Sequence, residues 1–571
     1  MNLCVLLLSA ALQAQAPKGD AHPASHPLLI RLPDVQGMLK ALDRTPGPRF
    51  LASESLQPLL GWAQASGWSA PLPARESLSQ ALGDPRWSAL IPKLSALSLS
   101  ASGEPGAAQA LLRVEMFDAA AAESARELLT TSWNLSAAGS SWTGTGPGTL
   151  GQSASLRLEG QRLVIAMGEG SLETLEALGQ QPASQALAAG PSLDSRLRGS
   201  ALEKLPKDSE AAYLWLAHSQ DPYTILRELD RSSGCLGGLF AQLPEAELCA
   251  PVGMARLEVS PQGYRLDCLE PERAVSAPAL DPARLNLVDQ RAMLLLAGRL
   301  PQAQLLEQLQ PLIEFAGLPE GGMRDFEASL RSLLGLLDGE VLLVSNSLNS
   351  TSPPKSYLSF GLKPGEDQES KALAACAEFM GALTKFQVSQ RDYRVRNKFT
   401  KERRSWPVHT LMIPENPNRG LLSPSISPSF VVDGGRLLVS PRAMYLKNEL
   451  KRRHDGKAQE AEEPGALPAR GVELPPGTHQ VLLFDWADQV ATLINFFPML
   501  TLFLPDLPID AAGLPSAAEV QRAFPPVLGY SAPFEGGTRH HLRSALGLEL
   551  LLGLLQLNAD WQGSLGDLLP R

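Results

Sequence analysis

Gly146, Gly148 and Gly151 in "GPGTLG" have the spacing of a dinucleotide-binding loop. Such a loop needs a strand before it and a helix after it, so that the helix N-terminus meets the pyrophosphate. Here the strand-like "SASLRLEG" follows, and the segment reads as a flexible loop. Ser352 and Lys355 have the S-x-x-K spacing of a Ser/Lys nucleophile pair. That chemistry requires a helix to bring the amine to the hydroxyl, and Pro353 and Pro354 oppose one. His540 and His541 are adjacent, and on a strand they point to opposite faces, so one metal ion could not easily take both. They read as a mixed surface and core pair. His22 and His26 lie in a Pro-rich N-terminal tail. H-E-x-x-H, G-x-S-x-G and C-x-x-C are absent from the sequence. No catalytic residue, cofactor site or metal site is therefore expected.

Two stretches have compositions suited to binding. The segment "KFQVSQRDYRVRNKFTKERRSW" (Lys385–Trp406) has eight basic and two acidic residues, interleaved with Phe386, Tyr393, Phe399 and Trp406. Arg394, Arg396, Lys398, Lys401, Arg403 and Arg404 are candidate contacts to an anionic surface. For an exported chain, glycan or lipid head groups fit better than nucleic acid. The plainer alternative is a solvated hairpin arm whose aromatics pack on the domain. The second stretch, "VATLINFFPMLTLFL" (Val490–Leu504), is too short to span a bilayer comfortably and carries Pro498 in its middle. Leu493, Phe496, Phe497, Leu500 and Phe503 are candidates for an apolar groove, against the alternative of a buried helix pair. Among the cysteines, Cys235 and Cys249 flank a loop containing glycines and a proline, and are a candidate disulfide worth roughly 3 kcal/mol in the chain-entropy model. Cys268 and Cys376 fall on apolar faces and read as free, buried thiols.

The elements that must position these residues come from the whole pattern. The chain has 571 residues, 44% hydrophobic and 19% charged, with mean hydropathy −0.06. This is globular rather than disordered composition. A formal net charge of −10 argues against general polyanion binding but leaves room for a local basic patch. "MNLCVLLLSAALQAQA" reads as a secretory signal over residues 1–16, so the mature chain is expected outside the cytoplasm, periplasmic or extracellular. No other run is apolar enough for a spanning helix.

The string "EGQRLVIA" at Glu159 recurs as "DGGRLLVS" at Asp433. Both predict a hairpin followed by a helix, with the glycine in the turn and the arginine facing solvent. Further matches keep the same order. "LLIRLPDVQGMLKAL" resembles "LLLAGRLPQAQLLEQL", and "LLRVEMFDAAAAESARELL" resembles "YLSFGLKPGEDQESKALAACAEF". Ser141-Trp142 recurs at Ser405-Trp406, "AAYLWLA" matches "HQVLLFDWA", and the hairpin at Ala255–Leu269 matches Val527–Ser544. In that hairpin Tyr264, Leu266 and Cys268 predict an apolar face, and Arg265 and Asp267 one that meets water or a helix. The expected fold is α+β: two related modules, each mainly antiparallel sheet with packed helices. The first spans 26–275, a Pro-rich linker 276–284, the second 285–556, and a tail 557–571.

On these segments, with "LDGEVLLVS" (Leu337–Ser345), the chain resembles the bacterial exported proteins grouped as domain of unknown function 3352. The resemblance implies export and a duplicated α+β build, and carries no known activity. The sequence thus predicts an exported, non-enzymatic protein that binds an apolar or lipid-like ligand or an envelope partner. The alternatives are a hydrolase-type enzyme with a site assembled from distant residues, and a purely structural envelope protein.

Overall fold

The computed structural model of the chain describes residues 28–57, 61, 73–81, 85–102, 109–145, 153–168, 170–180, 200–205, 207–219, 253–271, 278–286, 288–299, 320–346, 356–384, 387–412, 428–455, 465–485, 487, 515–535 and 537–545. The strands are β1 (Leu28–Leu32), β2 (Leu94–Ser102), β3 (Gln109–Met116), β4 (Ser136–Ala138), β5 (Ser141–Thr145), β6 (Ser153–Glu159), β7 (Arg162–Met167), β8 (Ala212–His218), β9 (Gly253–Ser260) and β10 (Gly263–Pro271). They continue with β11 (Leu294–Arg299), β12 (Leu337–Ser345), β13 (Ser356–Leu362), β14 (Gln387–Arg396), β15 (Arg403–Met412), β16 (Ser429–Asp433), β17 (Arg436–Ser440), β18 (Gln480–Phe484), β19 (Val527–Phe534) and β20 (Gly537–Ser544). The helices that cover them are α1 (Val35–Asp43), α2 (Ala119–Ser132), α3 (Ser171–Gln180), α4 (Glu320–Leu336), α5 (Gln368–Thr384), α6 (Ala443–His454) and α7 (Ala517–Ala523). The fold is α+β with mostly antiparallel sheet, as hairpin-rich patterning dictates.

The described residues form two compact units. The first lies within 1–274, 490–527 and 533–558, the second within 275–489 and 528–532. Thus α7 and β20, far along the chain, pack with the first unit. Phe524 meets Phe50 edge-on at 4.8 Å, and β20 pairs with β10.

Strands of the first unit neighbour one another in the order β4-β5-β6-β7-β3-β2-β1-β8-β9-β10-β20. In the second the order is β14-β15-β16-β17-β13-β12-β11-β18. Register can be followed across each sheet. In the first, one row of directly opposed residues runs Leu216, Ile30, Leu99, Leu112, Ile165, Leu156, Trp142. In the second, a row runs Leu482, Leu296, Leu343, Leu358, Val439, Phe430, His409.

Both faces of β16 and β17 are covered, which is why these strands read as continuous apolar runs rather than strict alternation. Phe430, Val432 and Leu437 pack with Leu333, Ala372 and Cys376 beneath α4 and α5. Val431 and Leu438 pack with Leu446 and Leu450 of α6, together with Val395, Trp406 and Val408. In the first unit α1 lies on β2, β8 and β9, α2 on β3, β6 and β7, and α3 on β6 and β7. Asp34 and Asp118 begin α1 and α2 by accepting from the backbone N–H of Gly37 (2.8 Å) and Ala121 (2.6 Å), which satisfies donors the helices leave open.

Several features differ from the sequence expectation. Arg436 does not face solvent: it is 5% exposed, and its guanidinium bonds Glu340 and the Ser359 hydroxyl and carbonyl. Its counterpart in the first string, Arg162, is half-buried and reaches Glu115 at 3.3 Å. A long side chain at a strand start can follow the sheet to a carboxylate one strand away, as for Arg162, or two strands away, as for Arg436, which short-range pattern does not reveal. On β10 the face carrying Asp267 meets the short helical turn Ala201–Lys204, the second of the two alternatives expected for it, and not water. Asp267 is fully buried, whereas Leu266 and Cys268 are intermediate. Cys268 is a thiol but not a fully buried one, whereas Cys376 is a buried thiol. The two Ser-Trp dipeptides lie on β5 and β15 in different registers. Trp142 opposes Leu156, four residues before Gly160, while Trp406 bonds Asp433, immediately before Gly434. The Pro-rich 276–284 segment contributes to the core through Leu280, whose N–H donates to the Thr478 carbonyl at 2.8 Å.

Candidate functional site: a basic hairpin arm

β14 and β15 pair over ten positions, from Gln387↔Met412 to Arg396↔Arg403. Only His409 and Thr410 of β15 are in register with β16, so the distal half of this hairpin runs on without that neighbour. Alternation divides the arm into two faces. Tyr393, Val395, Trp406 and Val408 point toward α6, and the last three are buried. Arg394, Arg396 and Arg403 take the other face and are exposed, as are Lys398, Lys401 and Arg404.

The tip is an ordered turn. The Asn397 side-chain oxygen accepts from the N–H of Phe399 (2.9 Å) and of Thr400 (3.0 Å). The Asn397 N–H donates to the Glu402 carbonyl at 2.8 Å, and Lys401 adopts φ +63°. This holds Phe399 outward at 48% exposure. The Lys398 N–H donates to the Asp455 carbonyl at 2.9 Å, which places the tip beside the C-terminal end of α6. That helix ends in Lys451, Arg452, Arg453 and His454, where cations complement the helix dipole.

The arm's base stands on a buried ion network. Glu449, 6% exposed, accepts from Arg452 (2.7 and 2.8 Å), from Arg453 (2.7 Å) and from the Tyr357 hydroxyl (3.1 Å). Burial alone would raise its carboxyl, but the two guanidiniums outweigh that and hold it at about 2. Burial, with Glu449 beside it, pushes the Tyr357 hydroxyl upward. Asp433 accepts from the Trp406 indole N–H at 3.1 Å and lies 2.9 Å from Nε2 of His454. The network fixes Trp406, and through it the strand that carries the cations.

A second polar cluster lies in the first unit on β9, β10 and β20. Asp267 receives Arg539 (2.7 Å), Arg265 (3.1 Å) and Nδ1 of His541 (2.8 Å), with Arg256 at 3.5 Å. Arg256, fully buried, also donates to the Leu205 carbonyl at 3.1 Å. His540 and His541 are both buried, not a surface and core pair: His541 turns to Asp267 and His540 to Glu270, 3.6 Å away. The hydrogen bond to Asp267 explains why the His541 ring can leave water. Among the described residues no group of three or more His, Cys, Asp or Glu side chains is placed to hold one metal ion, and no helix is long and apolar enough to cross a membrane.

Of the residues singled out in the sequence, the six cations come together on one arm. Cys235, Cys249, Leu493, Phe496, Phe497, Leu500, Phe503, the Gly146–Gly151 loop and the Ser352–Lys355 pair lie outside the described residues. The Glu449 network went unread in the sequence, although Glu449, Arg452 and Arg453 have the i, i+3 and i, i+4 spacing that pairs charges on a helix. Comparison with protein-family models, with curated proteins and with solved structures found no match.

Proposed function

We propose that the chain is an exported, non-enzymatic binding protein of the cell envelope, built from two copies of one α+β module, the second of which carries an arm that docks on a polyanionic surface. Duplication is supported by the strand orders and by the two rows of opposed residues, which step through corresponding strands in the same sequence. A hydroxyl pair recurs as well: Ser155 to Thr143 and Ser429 to Thr410, each 3.1 Å, across the corresponding strand pairs. Export and envelope placement rest on the apolar N-terminal run and on the resemblance to the family of domain of unknown function 3352.

One observation carries the binding role. The hairpin β4–β5 is three residues paired with five and has no Lys or Arg between Ser136 and Thr145. The hairpin in the corresponding place, β14–β15, is ten paired with ten and holds the basic segment. A fold that needs only the short hairpin to close its sheet edge gains nothing structural from exposed cations at the end of a longer one. The test is retention of the full chain on immobilised heparin, with Arg394, Arg396, Lys398, Lys401, Arg403 and Arg404 replaced together by glutamine. The parent should be retained and the variant should elute at low salt with its melting temperature nearly unchanged. A parent that flows through the column would sink the proposal.

A further inference from the structure

Resting on that reading, we infer that the surface the arm docks on is an anionic lipid bilayer, and that Phe399 enters it. Arg396 and Arg403 are directly opposed in the antiparallel register, on the same exposed face. Like charges so placed repel. Among the described residues no carboxylate lies within ion-pair distance of Arg394, Arg396, Arg403 or Arg404; at the tip, Lys398 has Asp455 at 3.9 Å. The outer face therefore concentrates positive charge that an external anion would relieve.

The tip distinguishes a bilayer from a soluble polyanion. Phe399 is one of three large apolar side chains among the described residues that stand well exposed, and it sits between Lys398 and Lys401 at the point farthest along the arm. A soluble polyanion can be held by the cations alone and has no apolar interior for an outward phenyl ring to enter. A lipid surface uses both: the ring enters the boundary between head groups and acyl chains while the cations stay with the phosphates. Asn397 holds the turn through two side-chain to backbone hydrogen bonds, so the ring is already presented and little ordering is needed on contact. Trp406 and the Glu449 network fix the arm's base from behind.

The full chain should co-sediment with vesicles of phosphatidylcholine and phosphatidylglycerol, and not with phosphatidylcholine alone. Phe399→Ser should weaken that partition roughly fivefold or more, Phe399→Trp should preserve it, and neither should change retention on heparin. The ring is exposed, so both variants should fold, which their melting curves check. Equal partition of Phe399→Ser and parent would overturn the insertion of Phe399. Retention on heparin without vesicle binding would overturn the bilayer while leaving the polyanion reading in place. Failure on both supports would overturn the two together.

Discussion

His541 lies directly opposite Asp267 in the β10–β20 register, and its Nδ1 is 2.8 Å from the carboxylate. Neither residue could be buried alone. Burial alone would raise the Asp267 carboxyl, but the hydrogen bond from His541, with Arg539 and Arg265 nearby, holds it well below the usual carboxylate range. Burial pushes His541 below the usual imidazole value, and Arg539 and Arg265 push the same way against the opposing pull of Asp267. The pair is thus a neutral imidazole donating to a carboxylate that arginines keep charged.

A pH dependence follows. His541 binds its proton less readily when folded than when unfolded, so as pH falls below about 6.5 the unfolded chain takes up a proton first and stability declines. Asp267 is depressed, so its contribution is full above about 3.9 and is lost only as pH falls through its lower folded value. Melting temperature should therefore drop between neutral and mildly acidic pH. His541→Asn, which keeps a donor for Asp267 but cannot titrate, should flatten part of that drop. An unchanged profile in the variant would show that His541 does not titrate differently in the two states.

The two arginines of the repeated string should behave differently. Arg436→Ala would leave Glu340, 2% exposed, with Arg284 as its remaining ion-pair partner at 3.2 Å. Breaking a buried pair costs about 3–5 kcal/mol. Arg162 and Glu115 are both partly in water, and an Arg162→Ala change should cost about 1 kcal/mol or less. Urea denaturation of the two variants measures the contrast; equal losses would contradict the burial difference.

The fold was legible in the sequence where signals were local. The turn glycines, the apolar pairs after them and the helices that follow each hairpin need no knowledge of the rest of the chain. What was not legible depends on distance. Arg436 meets Glu340 across 96 positions, Tyr357 meets Glu449 across 92, and Asp267 meets His541 across 274, so no short-range pattern pairs them before the fold brings the partners together. The arm falls between these cases. Its composition marked the six cations, but the placement of Arg394, Arg396 and Arg403 on one exposed face, with Arg396 opposite Arg403, depends on the register of β14 with β15.

Cys376 sits on α5 among Ala372, Ala375 and Leu437, and burial raises its thiol to about 12. With almost no thiolate at neutral pH, it should resist iodoacetamide in the native protein and react once the chain is unfolded in guanidinium. Peptide mass analysis of native and denatured samples checks this. Alkylation of Cys376 at the same rate in both would mean that α5 opens readily from the sheet.

The turn glycines give a direct test of how each of the two hairpins closes. Gly160 has φ +66° and Gly434 φ +58°, and a Cβ added at either would meet no atom within 4 Å. Alanine at these positions therefore collides with nothing, and its cost is the backbone strain of a left-handed residue, about 1–2 kcal/mol. Gly160→Ala and Gly434→Ala should each lower stability. Asparagine, which tolerates a left-handed conformation, should cost less at Gly434, where both central residues of the turn are left-handed. The second turn adds Gly435 at φ +71°, as a two-residue turn with both central residues left-handed requires. Gly435→Ala should therefore be as harmful as Gly434→Ala, whereas Gln161, the corresponding residue of the first turn, already has a side chain and should tolerate alanine. Stability of these single variants by thermal and urea unfolding checks this: a large cost for Gln161→Ala, or none for Gly435→Ala, would contradict the difference in backbone conformation between the second residues of the two turns.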